Sequence, residues 1–124
     1  MKKVVNCAAV FLLLVLLQSW EAMAAEKTIQ LTDISSALSG DGGFKIKLSL
    51  DLEPMGDKSH QAINSNTQEI RKIISAYLSQ KTFEDLKSVQ AKFALKEEVL
   101  KVINAFFGYP AVEGLFIIDM EISK

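Results

Sequence analysis

The chain is poor in the residues that build covalent or metal chemistry. Its 124 residues include one cysteine, Cys7, and one histidine, His60. One cysteine cannot form a disulfide within the chain, and a metal site at His60 would have to rely on carboxylates for its other ligands. Serines are plentiful, but none lies in a nucleophile elbow, and a single histidine is available as a base. The fold must therefore be stabilised by packing, and hydrolytic chemistry is disfavoured.

A charge excess of either sign is also missing. The sequence has 14 Lys and Arg against 15 Asp and Glu, for a formal net charge of −1. It contains no block of basic residues and no basic stripe interleaved with aromatics. Neutralising a phosphate backbone requires such a basic surface, so we expect no nucleic-acid partner.

The longest apolar run is too short to span a bilayer. Residues 4–17 are mostly apolar and follow Lys2 and Lys3, but they number 14 and include Asn6, whereas a spanning helix needs about 20 residues. Ala22-Met23-Ala24 supplies the small residues that precede a signal-peptidase cut. Residues 1–24 are therefore predicted to be a secretory signal, leaving one domain over residues 25–124. The alternative is a short uncleaved anchor, held by the two lysines and by Trp20 at the other interface.

A β-hairpin is predicted at the start of this domain. Residues 28–38 begin with alternating apolar and polar side chains, and the alternation slips at Asp33-Ile34, which indicates a bulge. Residues 40–43, Gly-Asp-Gly-Gly, suit a tight turn. The next strand has an unbroken period of two, with one apolar face: Phe44, Ile46, Leu48, Leu50 and Leu52. That face needs a cover.

Helical spacing then predicts the cover. Residues 53–57 end the strand, and a helical stripe follows, consisting of Ile63, Ile70, Ile73, Ile74, Tyr77 and Leu78. Asp57 or Ser59 is predicted to cap its start, or Ser65 with Gln68 one or two turns later.

A second helix is predicted to begin at Thr82, whose hydroxyl accepts the amide proton of Asp85. It is short and offers Phe83, Leu86 and Val89 to the core. A longer helix over residues 94–107 follows and ends at Gly108 and Pro110. Its predicted buried stripe is Leu95, Val99, Val102, Ile103 and Phe106.

Residues 115–123 form the last predicted strand. Alternation places four apolar side chains on one face, namely Phe116, Ile118, Met120 and Ile122. The other face changes from apolar to acidic, so we expect the first half in the middle of a sheet and the second half at its rim. The resulting fold class is α+β with two layers: a small, mainly antiparallel sheet, made of the hairpin and the C-terminal strand, covered by two or three helices.

Two carboxylate pairs and His60 are the candidate sites. Asp51 with Glu53, and Asp119 with Glu121, each put two acids on one strand face, a spacing that could serve acid/base catalysis or calcium binding. Solvated strand faces explain these pairs more simply, and a solvated position at a helix start explains His60. We therefore predict no catalytic residue, no cofactor, no metal and no small-molecule substrate.

An ordered set of segments resembles the periplasmic domain of the flagellar basal body-associated FliL family. The set comprises residues 70–74, 82–86, Lys92, 95–100 and Ile103-Asn104. Residues 115–120 look like a diverged form of the family's closing strand. The resemblance covers residues 28–123. The chain departs from the family in its short leader, in Ala91 where a glycine is customary, and in Ser123 where a glutamine is customary.

The resemblance implies an α+β domain related to the stomatin/prohibitin class. Such a domain would lie in the periplasm, at the inner membrane and the flagellar basal body, assemble as a homo-oligomeric ring around the stator units, and support swimming and swarming without catalysis. Arg71 and Asn104 match the family pattern, with no role assigned. Arg71 borders its helix's apolar stripe, where a bond within the domain or a contact with a partner is expected, and Asn104 is expected to be structural.

A binding module is the alternative function. A secreted or periplasmic domain of this size could use a groove between the sheet and the helices for an apolar ligand or a peptide.

Overall fold

The structure is a computed structural model, and it describes residues 28–124. The predicted leader, residues 1–24, and the predicted cut before Ala25 lie outside the described residues. Among the helices of residues 28–124, none is both long enough and apolar enough to cross a bilayer.

Three strands and four helices make up the described part of the chain. In chain order they are β1 (Ile29–Ala37), β2 (Lys45–Pro54), α1 (Asp57–Ser65), α2 (Thr67–Leu78), α3 (Phe83–Leu86), α4 (Val89–Phe107) and β3 (Val112–Ser123). The strands form one antiparallel sheet in the order β1-β2-β3, with β2 in the centre. Helices pack on this sheet, which confirms the predicted α+β class.

The hairpin forms as predicted, with the predicted irregularity. Ile29 and Leu31 pair with Leu52 and Leu50, and the register then shifts between Leu31 and Ile34. At this bulge Asp33 has φ 56°, and its backbone N–H donates to the Ser49 hydroxyl at 3.2 Å. An aspartate tolerates this left-handed conformation better than most residues. Because of the bulge, Ile34 lies on the same face of the strand as Ile29 and Leu31, and it is buried.

A second bulge makes the prediction for β3 wrong. Ser49 pairs with Asp119 and Leu50 with Ile117, so Ile118 has no partner on β2. The strand therefore changes phase in its middle, and the residues opposite the buried side chains of β2 are Leu115, Ile117, Met120 and Ile122. Phe116 and Ile118 are half exposed instead of sharing a buried face with Met120 and Ile122. In addition, β3 lies at the sheet edge along its whole length, not in the middle for its first half.

The first predicted helix is in fact two helices with a break at Asn66. This residue leaves the helical region with φ −120° and ψ 22°, and its side-chain amide donates to the Ala62 carbonyl at 2.7 Å. Neither α1 nor α2 has a side-chain bond at its N-cap. The capping roles predicted for Asp57, Ser59 and Ser65 are therefore wrong; the N-cap positions are Gly56 and Asn66.

Two of the predicted helix ends that come later in the chain are confirmed. Thr82 accepts the Asp85 N–H at 3.1 Å while the Asp85 carboxylate accepts the Thr82 N–H at 3.0 Å, a complete capping box. Gly108 ends α4 with φ 76° and confirms the predicted left-handed cap. However, α4 begins at Val89, five residues before its predicted start, because Ser88 accepts the Ala91 N–H. Val89 is 69% exposed and Phe106 is 41% exposed, so both predicted core positions are wrong.

The core lies between the sheet and the helices. Its sheet side consists of Ile46, Leu48, Leu50 and Leu52 of β2 with their neighbours on β1 and β3. Its helix side consists of Ile63, Ile70, Ile74, Leu78, Leu86, Leu95, Val99 and Ile103. No buried side-chain nitrogen or oxygen within residues 28–124 lacks a hydrogen-bond partner. Burial of apolar side chains therefore stabilises the domain without a cost from unpaired polar groups.

The capping box at Thr82 makes one part of the stability sensitive to pH. Hydrogen bonds from the Thr82 backbone N–H and side chain hold the pKa of Asp85 below its ordinary value of 3.8. The folded state thus favours the carboxylate. Its contribution is fully present above the ordinary pKa and is lost as the pH falls through the lower, folded pKa. We expect Asp85→Asn to lower the urea midpoint at pH 7, and the difference from the parent protein to shrink below about pH 3.8.

Two further variants control this measurement. Thr82→Ala removes the other half of the box and is expected to cost about 0.5–2 kcal/mol at pH 7. Asp41→Asn removes one exposed carboxylate from the hairpin turn and is the matched control. A gap between Asp85→Asn and the parent protein that stays constant from pH 7 to pH 3 would contradict the assigned role of the carboxylate.

Candidate interaction surface

Arg71 closes the free edge of β1. Its guanidinium Nη1 donates to the Thr32 carbonyl at 2.6 Å, one turn before Ser75 Oγ donates to the Ser35 carbonyl at 2.9 Å. Ser36 Oγ in turn donates to the Ser75 carbonyl at 3.0 Å. Helix α2 thus supplies side-chain donors to strand carbonyls that would otherwise face water. Covering an edge in this way protects it from pairing with another chain.

Asn104 joins the end of α4 to the start of β3. Its Nδ2 donates to the Val112 carbonyl at 3.1 Å, and its Oδ1 accepts the Val112 N–H at 2.9 Å. One amide side chain therefore satisfies both backbone groups of a buried residue. This bond pair fixes the path of the chain around Gly108 and Pro110.

The acidic candidates are spread across the open face of the sheet. Asp51 lies opposite Phe116, Asp119 opposite Ser49, and Glu121 opposite Lys47. The register therefore does not place the two carboxylate pairs opposite each other. Glu53 faces Gly114, and His60 lies partly exposed on α1. Within residues 28–124, no three His, Cys, Asp or Glu side chains come close enough to share a metal ion.

A groove runs between the N-terminal half of α4 and β3. We call this feature the α4/β3 groove; its volume is about 480 Å³. Its lining residues are Val89, Lys92, Phe93, Lys96, Phe116, Ile117, Ile118, Asp119 and Met120. Val89 and Phe93 are each 69% exposed, Phe116 is 52% exposed and Ile118 is 49% exposed. Exposed apolar side chains gathered in one place are typical of an interaction site.

Two features that the sequence patterns did not predict form the groove, namely the early start of α4 and the bulge in β3. The early start of α4 carries Val89 and Phe93 beyond the core, where the buried stripe begins at Leu95. The bulge in β3 turns Ile118 away from the core beside Phe116. Sequence patterns alone missed these four residues. Phe93 was the available signal, since it lies four residues after Val89 and fits neither predicted buried stripe.

A comparison with known protein families identifies the family of this chain. A family model described as flagellar basal body-associated protein FliL matches residues 28–120. The matched segment is most of the chain and contains all four helices, the hairpin and most of β3. The chain belongs to this FliL family. A search of the curated proteins finds no match.

Family membership indicates the cellular structure with which this domain is associated. FliL proteins are basal-body accessory proteins, so the domain is an accessory component of the flagellar basal body. This setting favours the flagellar function over the secreted binding module.

Proposed function

We propose that this FliL-family protein is a non-enzymatic accessory of the flagellar motor. It acts on the periplasmic side of the inner membrane, where it associates with stator units and with further copies of itself as a ring around them, and it supports swimming and swarming. The observation that carries this proposal is the family match over residues 28–120.

Two features of the domain support a role in protein association. The edge of β1 is closed by Arg71 and Ser75, so that side of the sheet is not available to a partner strand. The opposite side presents the α4/β3 groove with four exposed apolar side chains. Association surfaces commonly combine aromatic side chains with a polar margin, as Phe93 and Phe116 do here with Lys92 and Lys96.

Motility tests the proposed function directly. Deleting the gene is expected to reduce both the ring diameter in soft agar and the spreading of swarms on a viscous surface, because motor torque is limiting under high load. Restoring the unchanged gene should recover both. Flagellar filaments should still be counted by microscopy, so that loss of assembly is separated from loss of rotation. Swimming and swarming that both equal those of the parent strain would count heavily against the proposal.

Attachment to the envelope is a separate part of the proposal. We propose that the leader is removed before Ala25 and that the mature chain is then held by a membrane-embedded partner. The mass of the protein purified from cells, together with its distribution between membrane and soluble fractions, tests this point. A mass that includes residues 1–24 would instead assign the attachment to an uncleaved leader.

A further inference from the structure

One end of the domain carries a second group of exposed apolar side chains, separate from those of the α4/β3 groove. Phe106 is 41% exposed, Tyr109 is 45% exposed and Met55 is 52% exposed. The ring of Phe107 lies between the first two, with its centre 5.1 Å from that of Phe106 and 6.0 Å from that of Tyr109. The Met55 N–H donates to the Ala111 carbonyl at 2.9 Å, which places the methionine beside the same turn.

The aromatic tip, as we name Met55 together with residues 106–110, is suited to a poorly hydrated environment. Residues 105–112 contain no Asp, Glu, Lys or Arg. The Gly108 N–H donates to the Asn104 carbonyl, and Pro110 has no N–H. Backbone donors that are already bonded or absent do not have to be stripped of water when the turn leaves bulk solvent.

The aromatic tip lies at the end of the sheet where the preceding chain arrives. At the start of β1, Ile29 pairs with Leu52. Met55 follows Leu52 by three residues, so it lies roughly 10 Å beyond this pair, in the direction from which the chain enters β1. Residues 18–28 join β1 to the apolar run over residues 4–17 and can span about 40 Å at most. A bilayer that holds the apolar run is therefore within reach of this end of the domain.

We propose that the aromatic tip docks on the lipid surface of the inner membrane, with Met55, Phe106 and Tyr109 inserted among the headgroups. A tyrosine suits this position, because its ring meets the acyl chains while its hydroxyl stays in water. Apolar area drives the insertion, since the turn itself carries no charge. Three side chains bind weakly, with an association constant on the order of 10³ M⁻¹, below the roughly 10⁴ M⁻¹ of one myristoyl chain. The contact therefore orients the domain and does not anchor it alone.

This inference rests on the proposed placement at the inner membrane and adds a direct lipid contact to the membrane-embedded partner. Stable attachment to a bilayer commonly takes two such weak signals. The lipid contact is measured with purified protein and vesicles, whereas the proposed function is measured by motility. Failure of one is therefore distinguishable from failure of the other.

Vesicle flotation is the first test. The protein is purified after expression of the whole gene, its mass is recorded, and it is mixed with vesicles of phosphatidylcholine alone or of phosphatidylcholine and phosphatidylglycerol in equal parts. Both kinds are expected to bind most of the protein at about 5 mM lipid. Met55→Asp and Tyr109→Asp are each expected to lower binding about tenfold, because each puts a charge where an apolar side chain inserts. Phe93→Asp adds the same charge at an exposed aromatic of the groove and should leave binding unchanged.

A tryptophan reporter decides the same question for a chain that retains residues 1–24, whose apolar run binds vesicles by itself. Trp20 is the only tryptophan of the sequence, so Tyr109→Trp in a Trp20→Phe background places one fluorophore in the aromatic tip. On vesicles with brominated acyl chains we expect its emission to shift to the blue and to lose more than about half of its intensity. Phe93→Trp in the same background is the matched control and should keep its emission. Far-UV circular dichroism verifies that each variant is folded.

Three results would overturn the proposal. The first is a folded protein whose tryptophan at position 109 keeps its emission on brominated vesicles. The second is binding that needs phosphatidylglycerol and disappears on addition of salt, which would assign the contact to exposed lysines instead of the aromatic tip. The third is a parent protein that does not bind vesicles although Met55→Asp and Tyr109→Asp abolish motility, which would assign the aromatic tip to a protein of the motor.

Discussion

Replacing Leu50 by alanine is expected to lower the free energy of unfolding by about 2–5 kcal/mol. Leu50 is fully buried on the central strand, where it pairs with Leu31 on one side and Ile117 on the other. Truncation would remove its packing and leave a cavity beneath the helices. Domains of this size have a total stability of about 5–15 kcal/mol, so this single change would remove much of it. Urea unfolding followed by far-UV circular dichroism measures the loss.

Val89→Ala is the matched control for this core variant. It also shortens an aliphatic side chain, but at a position that is 69% exposed on α4. The expected change is within about 0.5 kcal/mol, because surface truncations leave no cavity and alanine favours a helix. If Val89→Ala cost as much as Leu50→Ala, the assignment of Val89 to the surface would be wrong.

Asn104→Ala is expected to cost about 2–3 kcal/mol. The change leaves both the N–H and the carbonyl of the buried residue Val112 without their partner, and each unpaired buried group costs about 1–3 kcal/mol. Water entering through the partly exposed site should recover some of that cost, which keeps the sum near the lower part of the range. The same urea measurement applies, together with hydrogen exchange at the Val112 amide.

Two variants separate the bonds of Asn104 from a general effect of losing an asparagine. Asn64→Ala, on the exposed side of α1, is expected to be nearly neutral. Asn104→Asp keeps an acceptor for the Val112 N–H but points a carboxylate oxygen at the Val112 carbonyl. It should therefore retain protection at the amide while still destabilising the domain. Unchanged exchange at Val112 in Asn104→Ala would show that this amide does not depend on the side chain.

Local sequence signals predicted those elements whose formation depends on neighbouring residues. The period of two over residues 44–52 predicted a strand with one buried face, because alternate side chains of a strand point to one face. Thr82 with Asp85 and Gly108 were assigned correctly because a cap is made within a few residues of the helix end. The slip at Asp33-Ile34 located the first bulge for the same reason, since the alternation itself breaks there.

The errors concern features that depend on pairing with distant parts of the chain. Leu115 to Ile118 are all apolar, so this run has no alternation whose break could reveal the second bulge. The bulge follows from the register of β3 against β2, where Ser49 and Leu50 skip Ile118. The early start of α4 depends on the cap at Ser88, whose hydroxyl accepts the Ala91 N–H, and this cap was not predicted. The bulge in β3 and the early start of α4 expose the residues that line the α4/β3 groove. The sequence patterns placed these residues in the core or did not place them.

The two family positions illustrate the same division. The ordered segments identified Arg71 and Asn104 as matching positions without giving them a role. The carbonyl that Arg71 binds belongs to Thr32, 39 residues earlier, and no local pattern encodes that distance. Asn104 binds Val112, eight residues later across a turn, which a position near a helix end suggested only in general terms.

By itself, the sequence determined the class of this protein: an α+β domain of the FliL family, with no cysteine pairs and little net charge. Hydrophobic period, turn residues and caps are local properties, and they specify which elements form. Only the tertiary structure decided which edge of the sheet is closed and which is open. That outcome depends on where side chains of α2 and α4 meet strands that are far away in the chain. Arg71 and Ser75 bond to β1, whereas the first turns of α4 leave Val89 and Phe93 beside a bulged and uncovered β3.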